Sequence, residues 1–188
     1  MSIYVPSEEQ VLNVLVVGAM AADAKGQPHQ ALAPGRSTPG AVHFAIGGVG
    51  RNIAETLARL GVRTTLLSVI GDDPVGRILL EATAQSGVDT SYVQTSAQHR
   101  TGGYIAILDH NGIPAYAIDD MMAMQEITPG LVYRHRRLIR DADLVVLDGN
   151  YHGTDLFAQP AAPAPPQAAS DGKQPDAKPA AKEAPAAE

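Results

Sequence analysis

Short continuous runs of apolar residues mark the chain at three places. Residues 11–17 read VLNVLVV and stop at Gly18, residues 63–70 read RTTLLSVI, and residues 143–147 read DLVVL. Runs of this length without polar alternation are typical of strands that are buried on both faces of a sheet. The pattern therefore predicts three buried strands.

Helical features lie between and after these runs. They are apolar residues at helical spacing, a capping residue before proline at the start, and glycine at the stop. The first predicted helix is 49–60, in which Ile53, Leu57 and Leu60 recur at i, i+4 and i+7 and Gly61 marks the end. The second is 74–87, capped by Asp73 and ended by Gly87, and the third is 129–140, which begins after Thr128 with Pro129. Alternating strands and helices predict an α/β fold with a parallel sheet and covering helices.

Two segments interrupt this alternation. Residues 24–40 are rich in glycine and proline, which predicts a loop. Residues 102–118 contain two β-prone runs on either side of Asn111-Gly112. Asn-Gly between such runs is a strong signal for a hairpin. We therefore expect a small antiparallel insert at about residues 100–120.

The last 31 residues, 158–188, differ in composition from the rest of the chain. They hold twelve Ala and seven Pro, and no Val, Ile, Leu, Met or aromatic residue. Such a segment buries too little apolar surface to offset the entropy lost on ordering. The sequence thus predicts one folded domain over residues 8–157 and a disordered Ala/Pro-rich tail over 158–188.

Composition excludes several classes of protein. The chain has no cysteine, which excludes disulfides and thiolate metal sites, and its net charge of -6 argues against a general nucleic-acid binder. The longest apolar run, residues 14–22, is too short to span a membrane, and the N-terminus has acidic residues where a signal peptide is basic. A cytoplasmic location is expected. The arginines near residue 136 are interpreted as a solvated helix face.

The standard catalytic motifs do not occur. The sequence contains no G-x-x-x-x-G-K-[ST] phosphate loop, no G-x-G-x-x-G fingerprint and no G-x-S-x-G nucleophile motif. Its six histidines form no H-E-x-x-H pattern, so no metal ligand is predicted.

One pair of segments carries candidate chemistry. Asp23 follows the first strand closely, and Gly47-Gly48-Val49-Gly50-Arg51-Asn52 opens the first helix. Both segments are expected beyond the carboxyl ends of the strands, where open α/β sheets bind ligands. A carboxylate and an amide can hold the vicinal hydroxyls of a sugar, and glycines allow close approach. Alternatively, Asp23 caps a turn and the glycines only form a tight loop; spacing alone leaves both interpretations open.

The motifs resemble a known family. G-G-x-G-x-N-x-A at residues 47–54, then Gly61, then G-D-D-x-x-G at 71–76, resembles the first signature of the ribokinase-like (PfkB) carbohydrate kinases. The G-x-x-x-x-D of residues 18–23 extends the similarity, which covers roughly residues 11–157. Within the family the chain is most similar to the pseudouridine kinases, in residues 47–61, 101–112 and 117–121.

The resemblance implies a ribokinase-like fold with a small β lid formed by the antiparallel insert. It also implies a small-molecule nucleoside or sugar as ligand and a homodimer through the lid. The substrate-binding residues that it implies are Asp23, Gly47, Gly48, Asn52, Asp120 and Asn150. The parent reaction is the ATP-dependent phosphorylation of pseudouridine to pseudouridine 5'-phosphate.

The sequence also departs from the family. The G-A-G-D motif that supplies the family's catalytic base and anion hole does not occur, nor does its N-x-x-E motif linked to magnesium. No catalytic residue is therefore predicted, and the segments that bind ATP and Mg²⁺ in the family are expected to be missing. We expect a truncated kinase that lacks the C-terminal part of the fold and is inactive without a complementing C-terminal half.

Two alternatives remain at this stage. The chain is a non-catalytic nucleoside- or sugar-binding remnant or a partner-binding module. A weaker alternative is an unrelated α/β protein whose glycine-rich loop holds a dinucleotide, which the missing fingerprint disfavours.

Overall fold

The chain forms two four-stranded sheets with helices packed on one of them. The computed structural model describes residues 12–33, 35–109 and 111–149. The elements in chain order are β1 (Asn13–Val17), β2 (Ala21–Pro28), β3 (Gly40–Gly47), α1 (Val49–Arg59), β4 (Arg63–Gly71), α2 (Pro74–Gln85), β5 (Asp89–Ser96), β6 (Gly102–Leu108), β7 (Pro114–Asp120), a 3₁₀ helix (Met122–Glu126), α3 (Pro129–Arg134), α4 (Arg136–Asp141) and β8 (Leu144–Leu147). The predicted tail, 158–188, lies outside the described residues, and its disorder stays a prediction.

The first sheet, here called the main sheet, is parallel throughout. Its strand order is β5-β4-β1-β8. The three predicted strands correspond to β1, β4 and β8, and each pairs in parallel with a neighbour. The α/β prediction is confirmed. The strand β5 was not predicted, because its sequence DTSYVQTS is mostly polar.

Both faces of the main sheet are covered. On one face, side chains of β1 and β4 pack against the 3₁₀ helix and α3, with Ala123, Met124 and Leu131 buried between them. On the other face, alternate residues of the same strands pack against Ala54 of α1 and Leu79 of α2. Burial on both sides explains why these strands are continuous apolar runs.

The first two predicted helices are confirmed. Helix α1 ends just before Gly61, whose φ of 83° suits glycine, and α2 begins at Pro74 after the capping residue Asp73. The predicted helix over 129–140 is instead two short helices, α3 and α4, which break at His135. The imidazole of His135 packs edge-on against Tyr92 of β5, 5.5 Å away. No helix among the described residues has the length and hydropathy needed to cross a bilayer.

The second sheet is larger than the predicted hairpin. Its strand order is β3-β2-β6-β7. The strand β2 pairs antiparallel with β3 and parallel with β6, so the sheet is mixed. The prediction of a loop over residues 24–40 is therefore wrong at both ends. Of the glycines and prolines that suggested it, Pro28 and Gly40 pair at the outer ends of β2 and β3, and Gly26 lies within β2, where it pairs with Val42 and Ile107.

The predicted hairpin itself is present. Strands β6 and β7 pair antiparallel, from Gly103 opposite Asp120 to Leu108 opposite Pro114. In the connection, Gly112 has a φ of 81°, and the carboxylate of Asp109 accepts hydrogen bonds from the backbone N–H of Asn111 and Ile113. The Asn-Gly signal thus marks the turn, although the loop is longer than two residues.

Candidate functional site

The chain passes from the main sheet to the second sheet at the carboxyl end of β1. Gly18 closes the strand by donating its N–H to the Leu67 carbonyl, and β2 begins three residues later. Asp23 therefore lies on β2 of the second sheet, close to the point where the chain passes from the main sheet to the second sheet. Its side chain is partly buried.

Gly47 lies directly against the Asp23 carboxylate. A Cβ added at Gly47 would stand 2.7 Å from Asp23 Oδ2. Real side chains do not approach so closely, so glycine at position 47 leaves the carboxylate its place beside the backbone. The structure thus brings together two of the predicted site residues.

The next two glycines let α1 start against the end of β1. Gly48 has a φ of 95°, a region that favours glycine, and it precedes the first helical residue. A Cβ at Gly50 would lie 2.5 Å from Gly18 Cα. The backbone of the glycine-rich segment therefore touches the backbone of the β1–β2 turn.

Arg51 ties this segment to the rest of the molecule. Its guanidinium is buried and donates to the Thr83 hydroxyl of α2 at 3.1 Å and to the Ile46 carbonyl at 3.3 Å. It also forms an ion pair with Glu55 one turn further along α1. The sequence alone assigns Arg51 no partner, because its burial depends on how the helices pack.

Asn52 is oriented by its neighbour. The side chain is exposed, and its Oδ1 accepts a hydrogen bond of 3.0 Å from Arg51 Nη1. Because the amide oxygen is engaged, the amide nitrogen, a donor, is the group placed to meet a ligand. Asn52 also lines a shallow surface groove along α1 with Val49 and Thr56.

Asp120 lies on the opposite face of the second sheet from Asp23. It pairs with Gly103, which pairs with Ala22, the neighbour of Asp23. Adjacent residues on a strand point to opposite faces, whereas paired residues share one. The Asp120 carboxylate accepts a hydrogen bond from the N–H of Met122.

Asp119 shares the face that carries Asp23. Tyr104 of β6 pairs with Asp23 on one side and with Asp119 of β7 on the other. The three side chains therefore form one row across the sheet. Asn150, the last predicted site residue, lies outside the described residues.

Sequence reasoning missed Asp148 at the end of β8. Its side chain is buried, and its Oδ2 accepts hydrogen bonds from the N–H of Ala19 at 2.6 Å and of Gly50 at 2.7 Å. The one available signal was a carboxylate at the end of a buried strand, and that signal does not reveal the partners.

The G-D-D-x-x-G segment serves the frame of the site. Asp73 accepts hydrogen bonds from the Gly76 N–H at the start of α2 and from the N–H and hydroxyl of Thr101 just before β6. Burial raises the pKa of the Asp73 carboxyl, but the hydrogen bonds from Thr101, Gly76 and Val75 together outweigh it and hold that pKa below its usual value. The motif thus fixes the origin of β6.

No metal ligands are assigned. Across residues 12–33, 35–109 and 111–149, no group of three or more His, Cys, Asp or Glu side chains is arranged to hold an ion. The described residues therefore assign no magnesium site, and we derive no step through Mg²⁺ or ATP.

Known proteins share both the sequence and the fold. The sequence profile of the "pfkB family carbohydrate kinase" family matches residues 11–168. The chain is 38% identical to a pseudouridine kinase of Escherichia coli over 137 residues, which are 73% of this chain and 44% of the relative. A carbohydrate kinase structure from Agrobacterium tumefaciens is 32% identical with a TM-score of 0.65, over 73% of this chain and 45% of that one.

The fold alone is shared with a more distant structure. The ribokinase of Arabidopsis thaliana, complexed with ribose and ATP, superposes with a TM-score of 0.64 at 23% identity, over 73% of this chain and 45% of that one. Fold and sequence together assign the chain to a family of carbohydrate kinases. The chain belongs to the pfkB family, and it spans less than half the length of the relatives it matches.

Proposed function

We propose that this chain carries the substrate-binding part of a pfkB-family nucleoside kinase whose substrate is pseudouridine. The observation that carries the proposal is the Asp23 carboxylate held against Gly47 at the carboxyl end of β1. In this proposal the carboxylate accepts hydrogen bonds from ribose hydroxyls, and Gly47 and Gly48 let the sugar approach the backbone. The Asn52 amide donates to the same sugar. The identity with the Escherichia coli pseudouridine kinase supports the choice of ligand.

The parent activity in this proposal is transfer of the ATP γ-phosphoryl group to the 5'-hydroxyl of the nucleoside. Phosphoryl transfer depends on positioning and charge stabilisation around the transferring group. The G-A-G-D motif that provides these in the family does not occur in the sequence. We therefore infer that this chain alone binds nucleoside without turnover, and that ATP and Mg²⁺ are bound by a complementing C-terminal segment. A cytosolic location belongs to the same proposal.

The main sheet has a place for such a segment. Among the described residues no strand pairs with the outer edge of β8. Two of its side chains, Leu144 and Leu147, are about half exposed, at 52% and 42%. An unpaired edge with apolar side chains favours the addition of a further strand. We propose that the complementing half of the kinase domain docks there.

The second sheet has a surface suited to a homodimer. One face presents a row formed by Phe44, Ala24, Ile105 and Ile118 on four paired strands. Phe44 and Ile118 are 82% and 72% exposed. Exposed apolar patches of this kind mark interaction surfaces. We propose that this face packs on a second copy, and that Asp23 and the opposite face form the lid over the ligand.

The alternative function is a binding module without catalysis. The missing G-A-G-D motif favours it, since binding of nucleoside needs only residues present in the chain. The two functions differ in what a complementing segment adds. If the separately expressed C-terminal half of a relative restores phosphorylation, the kinase proposal holds; binding that no such half converts to turnover favours the module.

The test of the proposal is calorimetric titration of the purified chain with pseudouridine, uridine and ribose. We expect pseudouridine to bind more tightly than the other two, and Asp23→Ala to abolish the heat. The control is Asp141→Asn, which changes an exposed carboxylate on α4 that pairs with Arg140. A folded chain that binds none of the three ligands contradicts the proposal.

A further inference from the structure

Two charged side chains are buried among the residues that the structure describes, and both contact the glycine-rich segment at the start of α1. Arg51 and Asp148 are 3% and 4% exposed. Arg51 belongs to the glycine-rich helix start, whereas Asp148 reaches it from β8, 98 residues away in sequence. Burial of a carboxylate is costly unless its oxygens are hydrogen-bonded. The N–H groups that Asp148 binds therefore offset the cost of burying its carboxylate.

Those groups belong to two different segments. Asp148 Oδ2 accepts the N–H of Ala19, in the turn that leads to Asp23, and the N–H of Gly50, in the first turn of α1. Both distances, 2.6 and 2.7 Å, are short, as is usual for hydrogen bonds to a charged acceptor. One oxygen atom thus joins the two halves of the candidate site.

Helix α1 has no cap of its own. The N-cap residue is Gly48, no side chain of the segment caps the helix, and the first turn contains no acidic residue. The first N–H groups of a helix need acceptors, and its positive end favours a carboxylate. Asp148 supplies both from a distant strand. Position 48 has no room for a capping side chain, since a Cβ there would collide with the Ala19 carbonyl oxygen.

The contact leaves no slack. A Cβ at Gly18 would collide with Asp148 and with Gly50 Cα. The β1–β2 turn, the start of α1 and the end of β8 therefore meet without intervening side chains. A shift of the carboxylate moves the backbone on both sides of it.

We propose that Asp148 is a positioning residue for the nucleoside site, an inference that rests on the proposed function. It holds the start of α1 against the β1–β2 turn, so that Gly47 keeps its place beside Asp23, and Gly48 and Asn52 keep theirs at the start of α1. It also occupies the position at which a helix start attracts an anion.

The experiment compares Asp148→Ala, Asp148→Asn and the control Asp141→Asn. Urea unfolding first establishes conditions in which every variant is folded, and pseudouridine affinity is then measured calorimetrically on folded protein. We expect Asp148→Ala to weaken binding by roughly tenfold or more, because two buried N–H groups lose their acceptor. Asp148→Asn keeps an amide oxygen as acceptor but loses the charge and replaces the second oxygen by an NH2 donor, so we expect a smaller loss of about threefold. Asp141→Asn leaves the affinity unchanged.

Chemical rescue separates positioning from a general structural role. Sodium formate supplies a carboxylate small enough for the space that Asp148→Ala leaves. We expect formate to restore pseudouridine affinity in Asp148→Ala and to change nothing in the wild type, while sodium chloride at equal ionic strength restores nothing. Wild-type affinity in folded Asp148→Ala overturns the inference, and so does a loss that formate fails to restore.

Two further outcomes are decisive. If Asp148→Ala does not fold, Asp148→Asn decides, and an affinity equal to that of the wild type overturns the inference. If the wild type itself binds no pseudouridine, the proposed function fails and the inference falls with it. Binding by the wild type that no Asp148 variant alters removes the inference alone.

Discussion

Asp73 and Thr101 are joined by two hydrogen bonds, one from the Thr101 N–H at 2.8 Å and one from its hydroxyl at 2.9 Å. The same carboxylate accepts the Gly76 N–H and caps α2. The Thr101 hydroxyl in turn accepts the N–H of Gly71 at the end of β4. Asp73, together with Thr101, therefore connects the end of β4, the start of α2 and the residue that precedes β6.

This arrangement predicts a loss of stability in acid. Because the folded-state pKa of Asp73 lies below the usual 3.8, the ionised carboxylate stabilises the fold above that pH, and the contribution is lost as pH falls through the folded-state pKa. We expect Asp73→Ala to lower the free energy of unfolding by about 1–2 kcal/mol at neutral pH, as for other N-caps. The difference from the wild type should narrow below pH 3.8.

Urea unfolding over a pH series measures this. The matched control is Asp72→Ala, which removes the adjacent carboxylate, an exposed one that pairs only with Arg77 among the described ion pairs. Surface pairs of this kind contribute roughly 0–1 kcal/mol. A gap between wild type and Asp73→Ala that stays constant across the series contradicts the role given to ionisation.

The register of the second sheet predicts which lid carboxylate meets the ligand. Asp119 shares a row with Asp23 and Tyr104, whereas Asp120 points to the other face. Pseudouridine carries a ring N–H that uridine lacks, and a carboxylate accepts such a donor. We expect Asp119→Asn to weaken pseudouridine binding roughly tenfold and uridine binding less, since a hydrogen bond to a charged group is lost.

Asp120→Asn is the matched variant for this experiment. It changes the neighbouring residue on the same strand, and if the lid binds through the face of Asp23 it should leave both affinities as they are. The opposite result, loss in Asp120→Asn and none in Asp119→Asn, would restore the residue predicted from the family resemblance and place the ligand on the other face of the sheet.

Strands β1 and β4 of the main sheet were predictable from sequence because they are buried on both faces. Such burial requires continuous apolar residues, and the runs at 11–17 and 63–70 are therefore visible in the sequence. Strands β2 and β3 were not predictable, since AADAKGQP carries neither alternation nor a continuous run. They form because β6, itself found through the Asn-Gly turn, provides a partner for β2 along six residue pairs.

The candidate site divides in the same way. Asp23 and the glycines were found because their spacing resembles a family motif. Asp148 and Arg51 act through contacts across 98 and 32 residues of sequence, with Gly50 and Thr83 respectively. No local pattern reports such contacts. The register that separates Asp119 from Asp120 also requires pairing between strands, which a single strand does not reveal.

Two glycines of the same segment predict different defects. At Gly47 an added Cβ meets the Asp23 carboxylate, which can swing aside. We expect Gly47→Ala to abolish detectable pseudouridine binding and to change the free energy of unfolding only a little. At Gly50 the Cβ meets the backbone of Gly18, which cannot move freely. We expect Gly50→Ala to lower the free energy of unfolding by about 1–3 kcal/mol, the usual cost of overpacking.

Calorimetry and urea unfolding on both variants distinguish these effects. Gly61→Ala is the reference for a glycine with open space around it, where the cost comes from its φ of 83° alone. Equal losses of stability in the Gly47 and Gly50 variants contradict the assignment of Gly47 to ligand binding.

Buried hydroxyl groups provide a final contrast. Within the described ranges, Ser68 Oγ is the buried side-chain polar atom without a hydrogen-bond partner. Thr83 Oγ1, equally buried, accepts from Arg51 Nε and donates to the Leu79 carbonyl. Ser68→Ala removes a hydroxyl that forms no bond, so the free energy of unfolding should stay unchanged or rise by about 1 kcal/mol. Thr83→Val leaves a buried guanidinium N–H without its acceptor, so the free energy of unfolding should fall by about 1–3 kcal/mol.

Urea denaturation at neutral pH measures both variants against the wild type, with the m-value as a check that the unfolding transition is unchanged. The two substitutions each remove one buried hydroxyl and differ in whether that hydroxyl is bonded. Destabilisation by Ser68→Ala as large as that by Thr83→Val would mean that Ser68 has a partner in solution. Thr83→Val should also weaken pseudouridine binding, because Arg51 orients the amide of Asn52, whereas Ser68→Ala should not.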